Sequence, residues 1–246
     1  MMKMSTICKG CWCQKHMLMP IHGPLSVPFK LVGVRPSRMN PNICNMCETN
    51  FRKVRKAKRI VVPAAILFAD VRGYTGLSEL LESQRVSQLL TLWYDQCAPA
   101  IWQRDGIVNK LMGDAILAVF NFPITRGDYV RQAVLSGIEL QKNCQEVRAS
   151  LAKEGTEKDI PFGIGVGISA GQVSIGEVGE VCKDFTVVGT VVNLASRLQG
   201  AASAGEILVT QEVCQQMGDV SPCSVDARTA KLKGIEEPVK AYALKV

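Results

Sequence analysis

From Val61 onward, apolar residues fall in runs and stripes of regular period, whereas the first sixty residues show no such order. VVPAAILFAD (61–70) is a nearly unbroken apolar run of strand length and predicts a buried strand. In TGLSELLESQRVSQLLTLWYDQCAPAIWQRDG (75–106), Leu77, Leu80, Leu81, Leu89, Leu90 and Trp93 recur at helical spacing, predicting one long helix or two joined at Pro99. IVNKLMGDAILAVF (107–120) reads as two apolar strands around a Gly113-Asp114 turn. DYVRQAVLSGIELQKNCQEVRASLAKEG (128–155) predicts a second long helix, with Val130, Ala133, Val134, Gly137, Ile138 and Leu140 along its apolar side. FGIGVGISAGQVSIGEVG (162–179) predicts strand, turn and strand, and TVVGTVVNLASRLQGAAS (186–203) runs into a third helix. EILVTQEVCQQM (206–217) and CSVDARTAKLKGIEEPVKAYAL (223–244) supply a strand, a short helix and a closing hairpin.

The order β-α-β-β-α-β, followed by extra elements, predicts an α+β fold of the ferredoxin-like, split βαβ kind, with an antiparallel-rich sheet and helices on one face. Residues 1–50, rich in Cys, Met, Pro and Asn, read as a separate module; 51–61, opening FRKVRKAKR, as a basic linker; and 62–246 as the main domain.

Charge sharpens that division. The net charge of +7 is uneven: residues 1–60 hold twelve Lys/Arg against the single acid Glu48, and the remainder carries an excess of acids. The basic stretch reads as a solvated linker, and an acidic membrane surface or nucleic acid is the contact it would make if it binds anything. No apolar run approaches the roughly 20 residues of a spanning helix. The N-terminus lacks the basic start, apolar stretch and cleavage site of a secretory signal, so a cytoplasmic protein without a membrane span is expected.

The strand at 61–70 ends on a carboxylate, Asp70, and Gly73 then leads into a helix. A helix cap accounts for one Asp. In a split βαβ sheet, however, the first strand lies beside the hairpin, so Asp70 and Asp114 can reach one edge. Two carboxylates at one place repel unless a cation neutralises them, and Mg²⁺ takes one or two carboxylates plus substrate phosphates. The helix start after Gly73 offers free N–H groups to phosphate. Gly163, Gly165 and Gly167 alternate on one face of a strand, which fits close packing of a helix on a sheet better than a dinucleotide loop. Both histidines, His16 and His22, precede the main domain, so no histidine-based acid–base chemistry can be built within it.

FADVRGYT (68–75), NKLMGDAILAVF (109–120) and TVVGTVVNLASRL (186–198), in this order and spacing, resemble the catalytic domain of class III adenylate and guanylate cyclases, over about residues 62–246. The resemblance implies that Asp70 and Asp114 bind two divalent ions, Mg²⁺ or Mn²⁺. It implies that Lys110 and Thr186 read the purine, that Asn193 orients the ribose and that Arg197 stabilises the transition state at the α-phosphate. Lys233, in KLKGIEEPVKAYAL (231–244), matches the phosphate-binding lysine. It further implies a homodimer, with Asp70 and Asp114 from one chain and Lys110, Thr186, Asn193 and Arg197 from its partner. A Lys is donor-only and a Thr hydroxyl can accept, which complements the N1 acceptor and N6 donor of adenine. ATP is therefore the expected substrate, cyclised to 3′,5′-cyclic AMP with release of pyrophosphate. A guanylate cyclase and a nucleotide-binding regulator without turnover are the alternatives. The GGDEF-type hairpin of a diguanylate cyclase is absent.

CKGCWC (8–13) and CNMC (44–47) place Cys8, Cys11, Cys44 and Cys47 in two C-x₂-C pairs, the pattern of a four-thiolate zinc site. Cys13, His16 and His22 are spare ligands, and an iron–sulfur or redox site and plain buried thiols are the other readings. Cysteines 97, 144, 182, 214 and 223 read as small apolar residues.

Overall fold

The computed structural model describes residues 4–47, 60–80, 82–153, 163–178, 184–220, 224–230 and 239–245. Its centre is an eight-stranded sheet in the order β2-β3-β1-β4-β6-β8-β7, with β5 alongside the end of β4. These strands are β1 (Ile60–Arg72), β2 (Ile107–Met112), β3 (Ala115–Phe120), β4 (Gly163–Val178), β5 (Asp184–Val188), β6 (Glu206–Thr210), β7 (Ser224–Ala230) and β8 (Val239–Lys245). Every pairing is antiparallel except β4 with β6. β1 opens at Ile60, inside the stretch expected to be linker; the rest of that basic stretch, 51–59, lies outside the described residues.

The apolar run of β1 is continuous because the strand is central and buried on both sides. Ala65, Leu67, Ala69 and Val71 enter one core, and Ala64 and Ile66 the other. Helices α4 (Ser83–Trp102), α5 (Tyr129–Lys153) and α7 (Gln211–Gln216) fill the first face. They do so through stripes that include Leu89, Trp93, Cys97 and Ile101, then Val130, Ala133, Val134, Ile138 and Leu140, then Val213. Cys97 and Cys144 are buried there as small apolar groups, as expected; Cys182 and Cys223 lie outside the described residues.

Three details differ from the sequence expectation. The break in the first helical stretch does not fall at Pro99: α3 (Tyr74–Leu80) ends before an extended Glu82, and α4 runs through Pro99 to Trp102. A proline in the last turn forfeits a single i→i−4 bond, and the helix ends three residues later in any case. Residues 163–178 form one strand rather than strand-turn-strand, because β1 pairs with them from Gly163 to Ile175 and leaves no gap for a turn. Nor are the helices confined to one face. Helix α6 (Thr190–Ala201) and the N-terminal segment, with α1 (Lys9–Lys15) and α2 (Val27–Leu31), lie on the other side.

Gly167 permits the close approach of α6. A Cβ on Gly167 would lie 2.2 Å from both the Ala195 carbonyl oxygen and the Gln199 nitrogen. Ile164, Val166 and Ile168 point the opposite way, into the first core. The strand thus alternates glycines with core residues, but only Gly167 meets the helix: a Cβ on Gly163 would meet Ala204 and one on Gly165 the Arg72 guanidinium.

Candidate active site and thiolate centre

The β1–β3 register pairs Asp70 with Ala115, so Asp114, one residue earlier at the hairpin tip, arrives beside it. A two-residue turn, with Gly113 at φ 64°, makes that tip. Helix α4 fixes the tip from below: Trp93 Nε1 donates to the Asp114 carbonyl at 3.3 Å and the Tyr94 hydroxyl donates to the Gly113 carbonyl. Asp114 is pushed up to about 7, by burial first and then by the hydrogen bond and charge of Asp70. Crowded carboxyls of this kind suit a divalent cation with oxygen preference.

Asp70 has neighbours that the sequence reading did not single out. Gln199 Nε2 donates to Asp70 Oδ2 at 3.0 Å, and Arg72 Nη1 lies 3.8 Å from the same oxygen. Arg72 also donates to the Gln199 carbonyl. Its guanidinium fits only because position 165 is glycine, where a Cβ would lie 2.3 Å from Arg72 Nη2. The available signal was a polar residue in an apolar stripe: Ala195, Leu198, Gln199 and Ala202 are all buried at helical spacing.

Asn193 and Arg197 lie about 160–200° round α6 from Ala195, on the side turned from the sheet. Asn193 is exposed and Arg197 half-buried. Lys110, half-buried on β2, stands opposite Leu117. Thr186, half-buried on β5, pairs with Gly176, eleven positions along β4 from the Gly165 that pairs with Asp70. Within one chain the aspartates therefore converge, while Thr186 belongs to the other end of the long strand. Lys233 lies outside the described residues.

The second cluster is sulfur. Sγ–Sγ separations are 3.6 Å for Cys8–Cys47, 3.3 Å for Cys11–Cys47, and 3.6 Å for both Cys11–Cys44 and Cys44–Cys47. All four sulfurs lie within 4.8 Å of one another. A tetrahedral site with Zn–S bonds of ~2.3 Å has S···S edges of ~3.8 Å, so the donor set fits a four-thiolate metal. Backbone N–H groups of Cys11 and Cys44 point at Cys8 Sγ (3.3 and 3.1 Å), and that of Cys47 at Cys44 Sγ (3.4 Å). They supply the donors that a thiolate needs. The spare ligands stay out: His22 Nδ1 meets the Ser5 carbonyl at 2.7 Å, His16 packs edge-on against Trp12, and Cys13 is partly exposed.

Among the described residues no helix is long and apolar enough to cross a membrane. A family profile described as the adenylate and guanylate cyclase catalytic domain matches residues 58–246. An adenylate cyclase of Anabaena cylindrica is 32% identical over 185 residues, covering 73% of this chain and 36% of its own length. An uncharacterized protein of Mycobacterium tuberculosis is 29% identical over 181 residues, covering 72% and 32%. The chain thus spans about a third of the curated relatives it matches. Among solved structures, the adenylyl cyclase CyaB of P. aeruginosa superposes with TM-score 0.71 at 30% identity, covering 76% of this chain and 95% of that one. The guanylyl cyclase Cya2 does so with TM-score 0.68 at 31% identity, covering 76% and 93%. One neighbour of each substrate class stands at nearly equal likeness, so likeness alone does not choose the base. With the paired aspartates, the sheet that brings them together and the extent of the profile match, this chain belongs to the adenylate and guanylate cyclase catalytic domain family.

Proposed function

We propose that the protein is an adenylate cyclase, a lyase that converts ATP to 3′,5′-cyclic AMP and pyrophosphate at sites shared across a homodimer. The observation that carries this is the β1–β3 register, which brings Asp114 beside Asp70 as a ligand pair for Mg²⁺ or Mn²⁺. When bound, two divalent ions would neutralise the triphosphate and lower the pKa of the ribose 3′-hydroxyl. The chain's own groups do the positioning. Asp70 and Asp114 hold the ion site; Asn193 orients the ribose; Lys233 holds phosphate. Arg197 meets the charge that develops as the 3′-oxygen bonds to the α-phosphorus and the bond to pyrophosphate breaks. Lys110 donates to adenine N1 and Thr186 accepts from N6, a pairing that the N1–H of guanine opposes.

Dimerisation is supported by placement. Asn193 and Arg197 face away from their own sheet, and Thr186 pairs at the far end of β4 from the aspartates. A C₂ dimer would give each aspartate pair its partner's α6. Residues 1–50 form, in this reading, a zinc-binding module, 51–61 a basic linker and 62–246 the catalytic domain. The free thiols among the described residues suit a reducing, cytoplasmic setting.

The test mixes two variants. Arg197→Ala alone is expected to lower turnover about 10²–10³-fold. Combining it with an Asp70→Ala chain regenerates one intact site per heterodimer, so cyclic AMP production recovers. No recovery refutes shared sites. GTP used better than ATP refutes the base assignment in favour of a guanylate cyclase, and neither cyclised favours the non-catalytic regulator.

A further inference from the structure

The four-cysteine centre does more than close the N-terminal segment on itself. It ties residues 8–11 to 44–47, and the loop between them has few buried apolar groups of its own: Met19, Ile21, Val34 and Ile43. So small a core needs a staple. Gly10 shows how tightly the staple is drawn, since a Cβ there would lie 3.2 Å from both Cys47 Sγ and Ile43 Cγ2.

The closed loop then grips the catalytic domain at one place. The Met39 carbonyl accepts from Val108 N at 3.0 Å and from Trp102 Nε1 at 2.7 Å. Asn40 Nδ2 donates to the Gly106 carbonyl at 2.7 Å. Lys9, on the helix that Cys8 caps, pairs with the buried Asp105. Asn40 is itself fully buried and orders the metal loop from within, its Oδ1 accepting from Asn42 N at 2.8 Å. These contacts fall on residues 102–108, the segment that starts β2. β2 is an edge strand with a register shift between Val108 and Lys110. An edge strand with a bulge lacks a second neighbour to fix its position; here the metal loop takes that neighbour's place. Arg35, Arg38 and Asn45 of the loop and Asn109 and Lys110 of β2 line a cleft of about 510 Å³ between the two.

We propose that the thiolate centre, loaded with zinc, is a positioning device for the base-reading edge of the nucleotide site. Metal at Cys8, Cys11, Cys44 and Cys47 holds the loop against β2, and the loop sets where Lys110 stands. The inference rests on the cyclase reading of Lys110. It separates the two metals by role: the aspartate ions govern turnover, and the thiolate ion governs nucleotide affinity and the choice of base.

Two variants of the full chain test it, with zinc content, KM for ATP and GTP, kcat, and ATP affinity by equilibrium dialysis as readouts. Cys44→Ser with Cys47→Ser is expected to lose one zinc per chain. Its KM for ATP should rise about tenfold with kcat changed far less, as uniform binding loss predicts, and its preference for ATP over GTP should narrow. Lys9→Ala with Asn40→Ala leaves all four thiols in place. It should keep its zinc and show the same rise in KM, which excludes simple unfolding of the centre as the cause. Wild-type protein without zinc overturns the proposal, as does a zinc-free or undocked variant whose KM, dialysis constant and base preference match wild type. Should the wild-type chain cyclise neither nucleotide, the cyclase reading alone fails, and the dialysis constant still decides whether the loop shapes the site.

Discussion

The aspartate pair and the four-cysteine centre both crowd ligands that repel one another once ionised, and the chain builds them by opposite means. Asp70 and Asp114 come from the end of one strand and the tip of a distant hairpin, and long-range register makes them meet. The cysteines come as two local C-x₂-C turns, each held by its own backbone N–H groups. The carboxylates remain open, with the Asp70 side chain 25% exposed; the thiols are sealed, none more than 7% exposed. An open oxygen site suits ions that come and go with a nucleotide. A closed sulfur site has no room for water or substrate and suits a resident structural ion.

The largest expected effect separates the two directly. Asp70→Ala should reduce cyclase turnover about 10³-fold or more, since the ion site loses half of its protein ligands, with zinc content unchanged. Brief exposure of the wild-type chain to EDTA should likewise abolish turnover, with full return on adding Mn²⁺ and the zinc still bound by atomic absorption. Zinc lost as quickly as activity would erase the distinction between open and closed sites.

A smaller effect sharpens how the open site is held. Gln199 reaches Asp70 from α6, the helix whose other side presents Asn193 and Arg197. Removing its amide should weaken ion binding about tenfold, the scale seen for groups that orient a ligand. Gln199→Ala should therefore shift the Mn²⁺ titration followed by electron paramagnetic resonance in the absence of nucleotide. An unchanged titration would make Gln199 a packing residue only.

Gln199 also marks where the sequence stops being legible. The period of the apolar positions carried the strands, the hairpin and the long helices, because each is dictated by residues near in sequence. Asp70 and Asp114 were legible for a further reason: the split βαβ order places the first strand beside the hairpin. What escaped depended on contacts between distant segments. Nothing near Gln199 says that its amide will face a carboxylate on β1, and nothing near Arg72 says that a glycine at 165 will make room for its guanidinium. The unbroken β4 and the second covered face have the same origin, since pairing and packing partners decide them. The C-x₂-C pairs were legible as one cluster of thiols able to hold a metal, but the docking of their loop on β2 runs through Met39 and Asn40, which carry no motif.

The smallest effect concerns the polar end of that docking. Asp105, 7% exposed at its side chain, takes Lys9 from the loop and Arg126 from its own domain at 2.8 Å. Arg126 also holds Asp128 at 2.8 Å, whose side chain is 43% exposed. Asp128 is held down at about 2, by its hydrogen bond to Arg126 first and by Gln132 in smaller part. An acid with a depressed folded pKa adds stability above its unfolded value of about 3.9 and loses it as pH falls through the folded one. The pair is largely in water, so screening leaves less than about 1 kcal/mol. Asp128→Asn should accordingly lower the urea midpoint slightly at pH 7 and almost as much at pH 4, and the difference from wild type should shrink as pH falls to about 2. Because Lys9 binds Asp105 and not Asp128, KM for ATP should not move. A rise in KM with Asp128→Asn would mean that the exposed arm of the Arg126 bridge, and not the buried one, transmits the loop's position to β2.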